Sequence, residues 1–515
     1  MNTPATSRMS RFYNLGALID RSRDLEKPAL IDLGGERPPR TVTYRELDAA
    51  ANGVAAALAR RGYVRGERVA IVSANRTEFL AAYYGIMRAG LVAVPVNFKF
   101  PAALIEYVLR DCEAHLAFCD PARRKDLPAD LPFVEFAGGS THSFDEFLVP
   151  GPFEPVRPWP GEPAMFLYTS GSTGKPKGVV LSHQSHIWVA ETRGGGKDWS
   201  DQRVLIAAPL YHMNALALAK FASVSHATII LQPQFKAPDY IEAIGAHRAT
   251  WLTAVPPMMA MMLRESALLD RTDLSSVQNL RMGSAPVSNS LMDQLRRTFP
   301  NASILNAYGT TEAGPIVFGP HPQGIPQPAS SVGYPHPQVM LRLADGADVD
   351  TDEGVLQMQA PALMNGYHGL PELTRQVMTD DGYYITGDIF RRDEHGFHYF
   401  IGRADDMFVS GGENIYPSKV ERMLESHPAI EQACVIPVAD EIKGTKPVAF
   451  VVLKHGKSTT EQQVKAHALA LAPAYEHPRR VWFLPQLPLS GTNKIDRKAL
   501  EAMAANAPTP GQEAT

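Results

Sequence analysis

The sequence predicts an α/β fold. We expect a large N-terminal domain of mostly parallel sheets covered by helices, a small β-barrel-like subdomain, and a small mobile α+β C-terminal domain. Three observations predict this fold: strand-like and helix-like segments alternate in the first third, short strands and turns rich in Gly and Asp follow from about Pro335, and a second helix-and-strand pattern follows the polar turn "GRADD".

The N-terminal elements follow a strand–helix–strand order. The segment "TYRELDAAANGVAAALARRG" opens with a capping box, Thr43 and Glu46, and predicts a helix. The β-branched run "ERVAIVSAN" predicts a buried strand, "RTEFLAAYYGIMRAG" a helix that ends at Gly90, and "LVAVPVN" another strand. The same order recurs in "EAIGAHRA" with "TWLTAVPP" and in "NSLMDQLRRTFP" with "SILNAYG". Parallel strands covered by helices explain this order.

The C-terminal part changes character. "GVLQMQAPALMNGYHG" and "GYYITGDIFRRDEHGFHYFIG" predict antiparallel strands, whereas "SKVERMLESHP" and "TEQQVKAHALALA" predict helices around the strands "QACVIPV" and "PVAFVVLK". We therefore predict a large domain over 1–402 and a small domain over 403–515, with a hinge near Asp405 and a frayed tail after about residue 505.

Composition excludes several classes of protein. The 515 residues are 45% hydrophobic and 20% charged, with a formal net charge of −4, so nothing favours nucleic acid or an anionic membrane as a partner. The three cysteines show no zinc-site spacing and predict free thiols in a reducing compartment. No signal-peptide pattern or long apolar run is present. We expect a cytoplasmic protein without stable membrane insertion, and a homodimer stays open.

The stretch "YTSGSTGKPKGVVLSH" predicts a phosphate-binding loop between two strands. Its glycines allow backbone N–H groups to approach an anion, and its hydroxyls and lysines add donors and charge. A Walker loop requires a wider glycine spacing, a Ser or Thr after the lysine, and a following helix. Here Gly171 and Gly174 are too close, Pro176 follows Lys175, and a strand follows. A flexible linker would not need two lysines.

This loop closely resembles the signature loop of the adenylate-forming superfamily, which contains acyl-CoA synthetases, peptide-synthetase adenylation domains and luciferases. The other motifs follow in the family's order: "PLYHMNAL", "MGSAP", "NAYGTTEAGP", "GYYITGDIF", "GRADDMFVSGGENIYP" and "LSGTNKIDR". The resemblance implies a ligase that uses ATP, Mg²⁺ and coenzyme A. A carboxylate attacks the α-phosphate of ATP to give an acyl-adenylate and pyrophosphate, and a thiol then attacks the activated carbonyl.

The resemblance also implies an ATP site. By motif position it comprises Thr169, Ser170, Gly171, Ser172, Thr173, Gly174, Lys177, Gly283, Ser284, Ala285, Pro286, Ala307, Tyr308, Gly309, Thr310, Thr311, Asp388, Arg403 and Lys494. The ring of Tyr308 is expected to stack on adenine, Asp388 and Arg403 to bind the ribose, and Thr310 or Thr311 to meet the α-phosphate. Glu312 is the expected Mg²⁺ ligand.

Catalysis is expected from residues of both domains. Thr310, Glu312, His212 and Lys494 are the candidate catalytic residues, and Lys494 would bridge the carboxylate and the α-phosphate in the first conformation only. Asn493 stands where relatives often have Gly. Rotation about the hinge at Asp405 would then start the second half-reaction. The expected coenzyme A contacts are Gly411, Gly412, Glu413, Arg479 and Arg480, of which the two arginines are equally compatible with surface ion pairs.

The sequence defines the acid substrate less closely than it defines the ATP site. The expected acyl pocket comprises His212, Met213, Asn214, Val255, Met282, Gly283, Tyr308, Gly309, Pro315 and Ile316. This set is mostly apolar and favours an aromatic or other hydrophobic acid, and the absence of an acidic residue in "PLYHMNALALAK" argues against an amino acid. Strand alternation points Arg281 away from Met282. If Arg281 instead faces the pocket, a dicarboxylate becomes attractive. A fatty acid, or transfer to a carrier protein, is also open.

Overall fold

The structure is a computed structural model of the whole chain. It describes residues 10–35, 37–136, 141–170, 175–194, 196–283, 287, 289–410, 413–440, 443–490 and 494–506. All three cysteines are free and buried, as their sequence context predicts. Among the described residues, no helix is long and apolar enough to cross a membrane.

The strands occur along the whole chain. In chain order they are β1 (Pro28–Asp32), β2 (Arg40–Thr43), β3 (Arg68–Val72), β4 (Val92–Val96), β5 (Ala114–Cys119), β6 (Phe133–Glu135), β7 (Pro163–Ser170), β8 (Pro176–Ser182), β9 (Arg203–Ile206), β10 (Thr228–Leu231), β11 (Trp251–Ala254), β12 (Asn279–Met282), β13 (Ser303–Asn306), β14 (Phe318–Gly319), β15 (Tyr334–Pro335), β16 (Met340–Asp345), β17 (Asp348–Val349), β18 (Glu353–Gln359), β19 (Gly366–Tyr367), β20 (Tyr384–Arg392), β21 (His398–Arg403), β22 (Phe408–Ser410), β23 (Glu413–Ile415), β24 (Ile430–Asp440), β25 (Gly444–Leu453) and β26 (Val481–Phe483).

The helices alternate with these strands. They are α1 (Tyr44–Arg60), α2 (Thr77–Arg88), α3 (Ala102–Asp111), α4 (Phe144–Phe147), α5 (His183–Thr192), α6 (Met213–Ser225), α7 (Ala237–His247), α8 (Pro256–Leu263), α9 (Ser266–Arg271), α10 (Asn289–Thr298), α11 (Pro371–Gln376), α12 (Pro417–Glu425), α13 (Glu461–Leu471) and α14 (Arg497–Ala505), with a 3₁₀ helix at Pro121–Asp126. The predicted capping box of α1 is present, since Glu46 N–H donates to Thr43 Oγ1 and Thr43 N–H donates to Glu46 Oε2.

Two seven-stranded sheets form the frame of the N-terminal part. The first has the order β13-β12-β11-β9-β10-β1-β2, and the second β19-β8-β7-β4-β3-β5-β6. Most neighbours are parallel; β1 with β2, β7 with β8, and β8 with β19 are antiparallel. Buried side chains of both sheets and of α1, α2, α5 and α6 belong to one continuous core. The parallel frame that the sequence predicts is therefore confirmed.

Antiparallel sheets follow. The predicted barrel-like subdomain contains a five-stranded antiparallel sheet, β17-β16-β18-β20-β21. A further sheet, β23-β22-β25-β24 with β26 beside β25, carries the C-terminal part with α12, α13 and α14. Its core is formed by residues such as Ile430 and Val451 and is separate from the N-terminal core. Strand β21 ends at Arg403, two residues before the predicted hinge residue Asp405.

Candidate functional site

A cavity of about 1800 Å³ lies between the large N-terminal part and the C-terminal part. It is lined by the predicted hinge residue Asp405 and by most residues that the sequence predicts for catalysis, ATP binding and the acyl pocket: Thr169, Lys177, His212, Met213, Asn214, Val255, Met282, Gly283, Ala307, Tyr308, Gly309, Thr310, Thr311, Glu312, Pro315, Asp388, Arg403 and Lys494. The fold thus brings together motifs that are separated by more than 300 positions in the sequence.

Some predicted residues lie elsewhere. Ile316 is buried in the core instead of lining the cavity, because its neighbour Pro315 takes the cavity-facing position. Glu413, Arg479 and Arg480 are also absent from the lining. Only the main chain of Ser170, the last residue of β7, is described. The remaining predicted residues lie outside the described residues: Gly171, Ser172, Thr173, Gly174, Ser284, Ala285, Pro286, Gly411 and Gly412.

The expected ribose site is a network of charges on two neighbouring strands. Asp388 on β20 and Arg403 on β21 are register partners, and Arg403 Nη1 donates to Asp388 Oδ1 at 3.0 Å. The same guanidinium donates to both carboxylate oxygens of Asp405, at 2.7 and 3.0 Å. Tyr308 donates its hydroxyl to Asp388 Oδ2. Burial raises the pKa of Asp388, and the charge of Arg403 opposes that rise.

The loop after β13 forms a closed turn that contains the residues expected to contact the α-phosphate and Mg²⁺. Thr310 N–H donates to Gly314 O at 3.2 Å, and Ala313 N–H donates to Thr310 Oγ1 at 3.0 Å. Gly314 has a backbone φ of +84°, which residues with a side chain rarely adopt, so this turn favours glycine. Glu312 Oε1 accepts the hydroxyl of Tyr367 at 3.0 Å. The carboxylate is thereby oriented within the cavity lining.

Lys177 and Lys494 supply cations to the same end of the cavity from opposite parts of the fold. Lys177 Nζ lies 4.8 Å from the ring centroid of Tyr367, which also contacts Glu312. Lys494 is held by main-chain contacts, since Leu489 and Ile495 form an antiparallel bridge and Ser490 N–H donates to Lys494 O at 2.7 Å. Its ammonium projects into the cavity.

Lys494 remains partly exposed at the cavity wall, and its charge interacts with groups of the N-terminal part. Burial lowers its pKa, and the carboxylates of Asp388 and Glu312 oppose that shift. The neighbouring Arg497 fixes the segment that follows Lys494, because it donates to Val435 O at 2.7 Å and to Glu421 Oε1 at 2.7 Å. The described arrangement therefore places a C-terminal ammonium beside the two acids that are expected to hold ribose and metal.

His212 joins the nucleotide end of the cavity to the acyl end. It precedes α6, and its Nε2 is buried without a hydrogen-bond partner among the described residues. Burial, together with the ammonium groups of Lys494 and Lys99, lowers the pKa of His212 to about 3. The imidazole is thus neutral at physiological pH and can exchange a hydrogen bond with a ligand, whereas proton transfer as an imidazolium is disfavoured.

The acyl end is apolar around its middle. Met213, Val255, Met282 and Pro315 line it, and Asn214 Oδ1 accepts the hydroxyl of Thr253 at 3.1 Å. Strand alternation points Arg281 away from Met282, yet both side chains line the cavity, because it wraps around the end of β12.

Arg193 also lines this end, and sequence reasoning missed it. It is the first residue after α5, where a basic side chain ordinarily interacts with the helix dipole at the surface. The sequence carries no signal that this arginine turns inward.

Family models match two segments of the chain. The model described as AMP-binding enzyme matches residues 20–368, and the model described as AMP-binding enzyme C-terminal domain matches residues 419–494. The first covers more than half of the chain, and the second covers most of the separate C-terminal sheet.

Curated relatives and solved structures agree with this match. The fatty acid–[acyl-carrier-protein] ligase ScoC of Streptomyces coeruleorubidus is 30% identical over 477 residues, 90% of this chain and 91% of the relative. The indoleacetate–CoA ligase of Aromatoleum aromaticum is 30% identical over 509 residues, 95% and 98% of the two chains. ATP-bound MatB from Rhodopseudomonas palustris has a TM-score of 0.86 at 27% identity, covering 96% of this chain and 99% of that one.

Proposed function

The chain belongs to the family of AMP-binding enzymes, and from that premise we propose that it joins a hydrophobic carboxylic acid to coenzyme A. The enzyme is an acid–thiol ligase that forms AMP. The overall reaction converts acid, ATP and coenzyme A into acyl-CoA, AMP and pyrophosphate. The observation that carries the proposal is the position of Lys494 beside Asp388 and Glu312 in one cavity.

The first half-reaction brings one anion to another. A carboxylate oxygen of the acid forms a bond to the α-phosphorus, and the bond from that phosphorus to the bridging oxygen of the β-phosphate breaks. We assign to Lys494 the neutralisation of charge on both reactants, and to Lys177 the binding of the departing phosphates. We assign the ribose hydroxyls to Asp388, whose hydrogen bonds with Arg403 and Tyr308 support that role.

A single carboxylate fits the proposed magnesium site. Among the described residues, no group of three or more His, Cys, Asp and Glu side chains could form an all-protein metal site. Mg²⁺ in nucleotide enzymes is commonly held by one or two carboxylates together with phosphate oxygens. Glu312, oriented by Tyr367, fits that requirement. When bound, Mg²⁺ supplies positive charge to the phosphates.

The second half-reaction requires the thiol to reach the acyl carbonyl. The thiolate sulfur forms a bond to that carbonyl carbon, the mixed-anhydride bond from the carbon to the phosphate oxygen breaks, and AMP leaves with its electron pair. We assign the hinge for the preceding domain rotation to Asp405, with the domain boundary at 402/403. Glu413, Arg479 and Arg480 stay predicted coenzyme A contacts; Arg480 currently lies over the ring of Trp482, 5.8 Å from its centroid.

The acid is assigned from the lining of the acyl end. Met213, Val255, Met282 and Pro315 suit an aromatic or extended aliphatic body. Named relatives act on comparable acids: indoleacetate in one case and ferulate in the Amycolatopsis feruloyl-CoA synthase, which is 31% identical over 465 residues, 88% of this chain and 92% of the relative. A structure of the anthranilate CoA ligase AuaEII is 26% identical with a TM-score of 0.86 over 96% of this chain and 98% of that one.

An acid panel with ATP, Mg²⁺ and coenzyme A tests this function. We expect acid-dependent exchange of pyrophosphate into ATP and release of AMP. Release of ADP, or AMP formation without dependence on any acid, would contradict the proposed reaction. Size-exclusion chromatography with light scattering and cell fractionation test the accompanying proposals that the enzyme is a cytoplasmic homodimer.

Transfer to a carrier protein is the second candidate function. It is favoured by the similarity to ScoC, whose name specifies an acyl-carrier protein as acceptor. Coenzyme A and a holo carrier protein should be compared as acceptors for the same acyl-adenylate. A carrier that is acylated at least tenfold faster at equal concentration would make this second function the correct one.

A further inference from the structure

Three cationic side chains lie together at the acyl end of the cavity, outside the predicted ATP site. We name Arg193, Lys220 and Arg281 the distal basic cluster. Arg193 and Arg281 line the cavity, and Lys220, on α6, is fully buried behind them. Arg193 follows α5, Lys220 belongs to α6 and Arg281 belongs to β12, so three elements from distant parts of the chain contribute to the cluster.

Arg193 is the member of the cluster whose hydrogen-bond donors most clearly lack acceptors. Its Nε, Nη1 and Nη2 atoms are all buried, and none has a hydrogen-bond partner among the described residues. A guanidinium has five N–H donors and stays charged in proteins, so it requires acceptors when it is buried. The described part of the chain supplies none, which is exceptional for a buried polar group.

The neighbours of Arg193 add charge of the same sign. Burial lowers the pKa of Arg193, and the positive charge of Arg281 lowers it further. The pKa of Lys220 is lowered by burial and then by Arg193, and its Nζ lies 3.0 Å from Nδ1 of His186. No salt bridge to a cluster member occurs among the described residues. Three converging cations without an acid indicate that the balancing charge comes from outside the chain.

Further donors face the same region. Arg281 and Thr253 are register partners on β12 and β11, and Thr253 donates to Asn214 Oδ1 at 3.1 Å. This bond turns the amide so that Nδ2 of Asn214 is left buried without a partner among the described residues. Arg281 uses Nη2 to donate to Pro315 O at 2.9 Å, which holds its guanidinium at the cavity wall. The region is therefore rich in donors and lacks acceptors.

We propose that the distal basic cluster binds a second carboxylate of the acid substrate, at the end remote from the carboxylate that is adenylated. The inference rests on the proposed function and deepens it: the acid has an apolar body, which Met213, Val255 and Met282 contact, and an anionic far end. Arginine matches a carboxylate in geometry, with two parallel N–H···O bonds. A monocarboxylic acid of the same length leaves Arg193 unsatisfied.

Matched pairs of acids test this proposal on the wild-type enzyme. Benzoate is compared with isophthalate and terephthalate, and octanoate with suberate, by kcat/KM for pyrophosphate exchange. We expect the dicarboxylate of at least one pair to exceed its monocarboxylate by tenfold or more, because a buried site that is built to bind a polar group discriminates strongly against analogues that lack it. A preference for the monocarboxylate in every pair would overturn the proposal.

Two variants test whether the preference for a dicarboxylate depends on the distal basic cluster. Arg193→Met and Arg281→Met should each lower kcat/KM for the preferred dicarboxylate by tenfold or more and leave its monocarboxylate partner within threefold. Arg296→Met is the matched control, since Arg296 is an exposed arginine that pairs with Asp293 on α10, and it should change neither rate. A dicarboxylate-to-monocarboxylate ratio within twofold of wild type in both cluster variants would sink the assignment.

A binding measurement avoids dependence on the variants. The preferred dicarboxylate, added to the wild-type protein without ATP, should raise the melting temperature more than its monocarboxylate partner does at equal concentration. Equal shifts for the two acids would contradict the proposal. If monocarboxylates are adenylated and dicarboxylates are not preferred, only this inference fails, whereas a panel that yields no acid-dependent AMP at all overturns the proposed function.

Discussion

The guanidinium groups of Arg88 and Arg193 are both buried in the N-terminal part, and their surroundings are opposite. Arg88, 1% exposed, donates to Gly16 O at 2.7 Å and to Asn52 Oδ1 at 2.6 Å, and its Nη2 lies 2.7 Å from Asp48 Oδ1. Arg193 has no acceptor for any guanidinium nitrogen among the described residues. The chain supplies hydrogen-bond acceptors for the guanidinium of Arg88, and its described residues supply none for that of Arg193.

This difference in partners distinguishes an arginine that stabilises the fold from an arginine that is available to bind a ligand. Arg88 links the N-terminal segment, α1 and α2, so its charge is balanced as soon as the chain folds. Arg193 lies at the cavity wall, where no group of the described chain offsets the free-energy cost of burying its charge until an anion binds. The nucleotide end resembles the Arg88 case, because Asp388, Arg403 and Asp405 pair with one another.

The sharpest test of this comparison is the stability of two matched variants. Arg88→Met should lower the free energy of unfolding by about 3–5 kcal/mol, because it leaves the carboxylate of Asp48 buried with one fewer partner. Arg193→Met should leave that free energy unchanged or raise it, because it removes a buried cation that has no partner. Urea denaturation at pH 7.5 measures both.

Similar losses in both variants would break the comparison. A loss for Arg193→Met as large as that for Arg88→Met would mean that Arg193 has a structural partner. Arg296→Met, which removes an exposed arginine, is the control and should change the free energy of unfolding by less than about 0.5 kcal/mol.

The next largest effect is expected at the nucleotide end. Lys494→Ala should lower the rate of adenylation by about 10²–10³-fold, because it removes the ammonium that faces Asp388 and Glu312 when the reactants meet. Thioester formation from a supplied acyl-adenylate and coenzyme A should stay within several-fold of wild type. Pyrophosphate exchange and single-turnover thioesterification measure the two halves separately.

Lys498→Ala is the matched control for that experiment, because Lys498 is an exposed lysine on the neighbouring helix α14. It should affect neither half-reaction. Equal losses of both halves in Lys494→Ala would show that this lysine supports the fold or the thiol step and does not serve adenylation specifically.

The smallest expected effect concerns His212, which joins the two ends of the cavity. Its folded-state pKa of about 3 lies below the ordinary value of 6.5, so its neutral form is the one that folding favours. The stability it contributes is complete above pH 6.5 and is lost as the pH falls from 6.5 toward 3. At pH 5 the loss amounts to about 2 kcal/mol.

Comparison with His212→Gln measures this contribution. The free energy of unfolding of the wild type should fall by about 2 kcal/mol more than that of the variant between pH 7.5 and pH 5. The pH profile of adenylation should show no ionisation of His212 between pH 6 and 8. A wild-type step near pH 6.5 that is absent from the variant would contradict a neutral imidazole.

Much of the fold and of the nucleotide end can be predicted from the sequence, because these features depend on local patterns. The capping box of Thr43 and Glu46 places α1, and apolar runs bounded by glycine place β3 and β4. The motifs that contain Tyr308, Glu312, Asp388 and Lys494 have fixed spelling and order, so each residue could be assigned before the cavity was known. The site roles of these residues stay predictions that the experiments above test.

The acyl end was decided by tertiary structure. Nothing local distinguishes Arg193 from an ordinary basic residue at a helix end, and strand alternation misjudged Arg281 because the cavity wraps around the end of β12. Ile316 was wrongly expected in the pocket because the neighbouring Pro315 takes the position that faces the cavity. The sequence by itself determined which chemistry the enzyme performs, since that chemistry resides in contiguous motifs. Which charges remain without partners depends on the packing of α5, α6 and β12 from distant parts of the chain, and only the folded structure decides that.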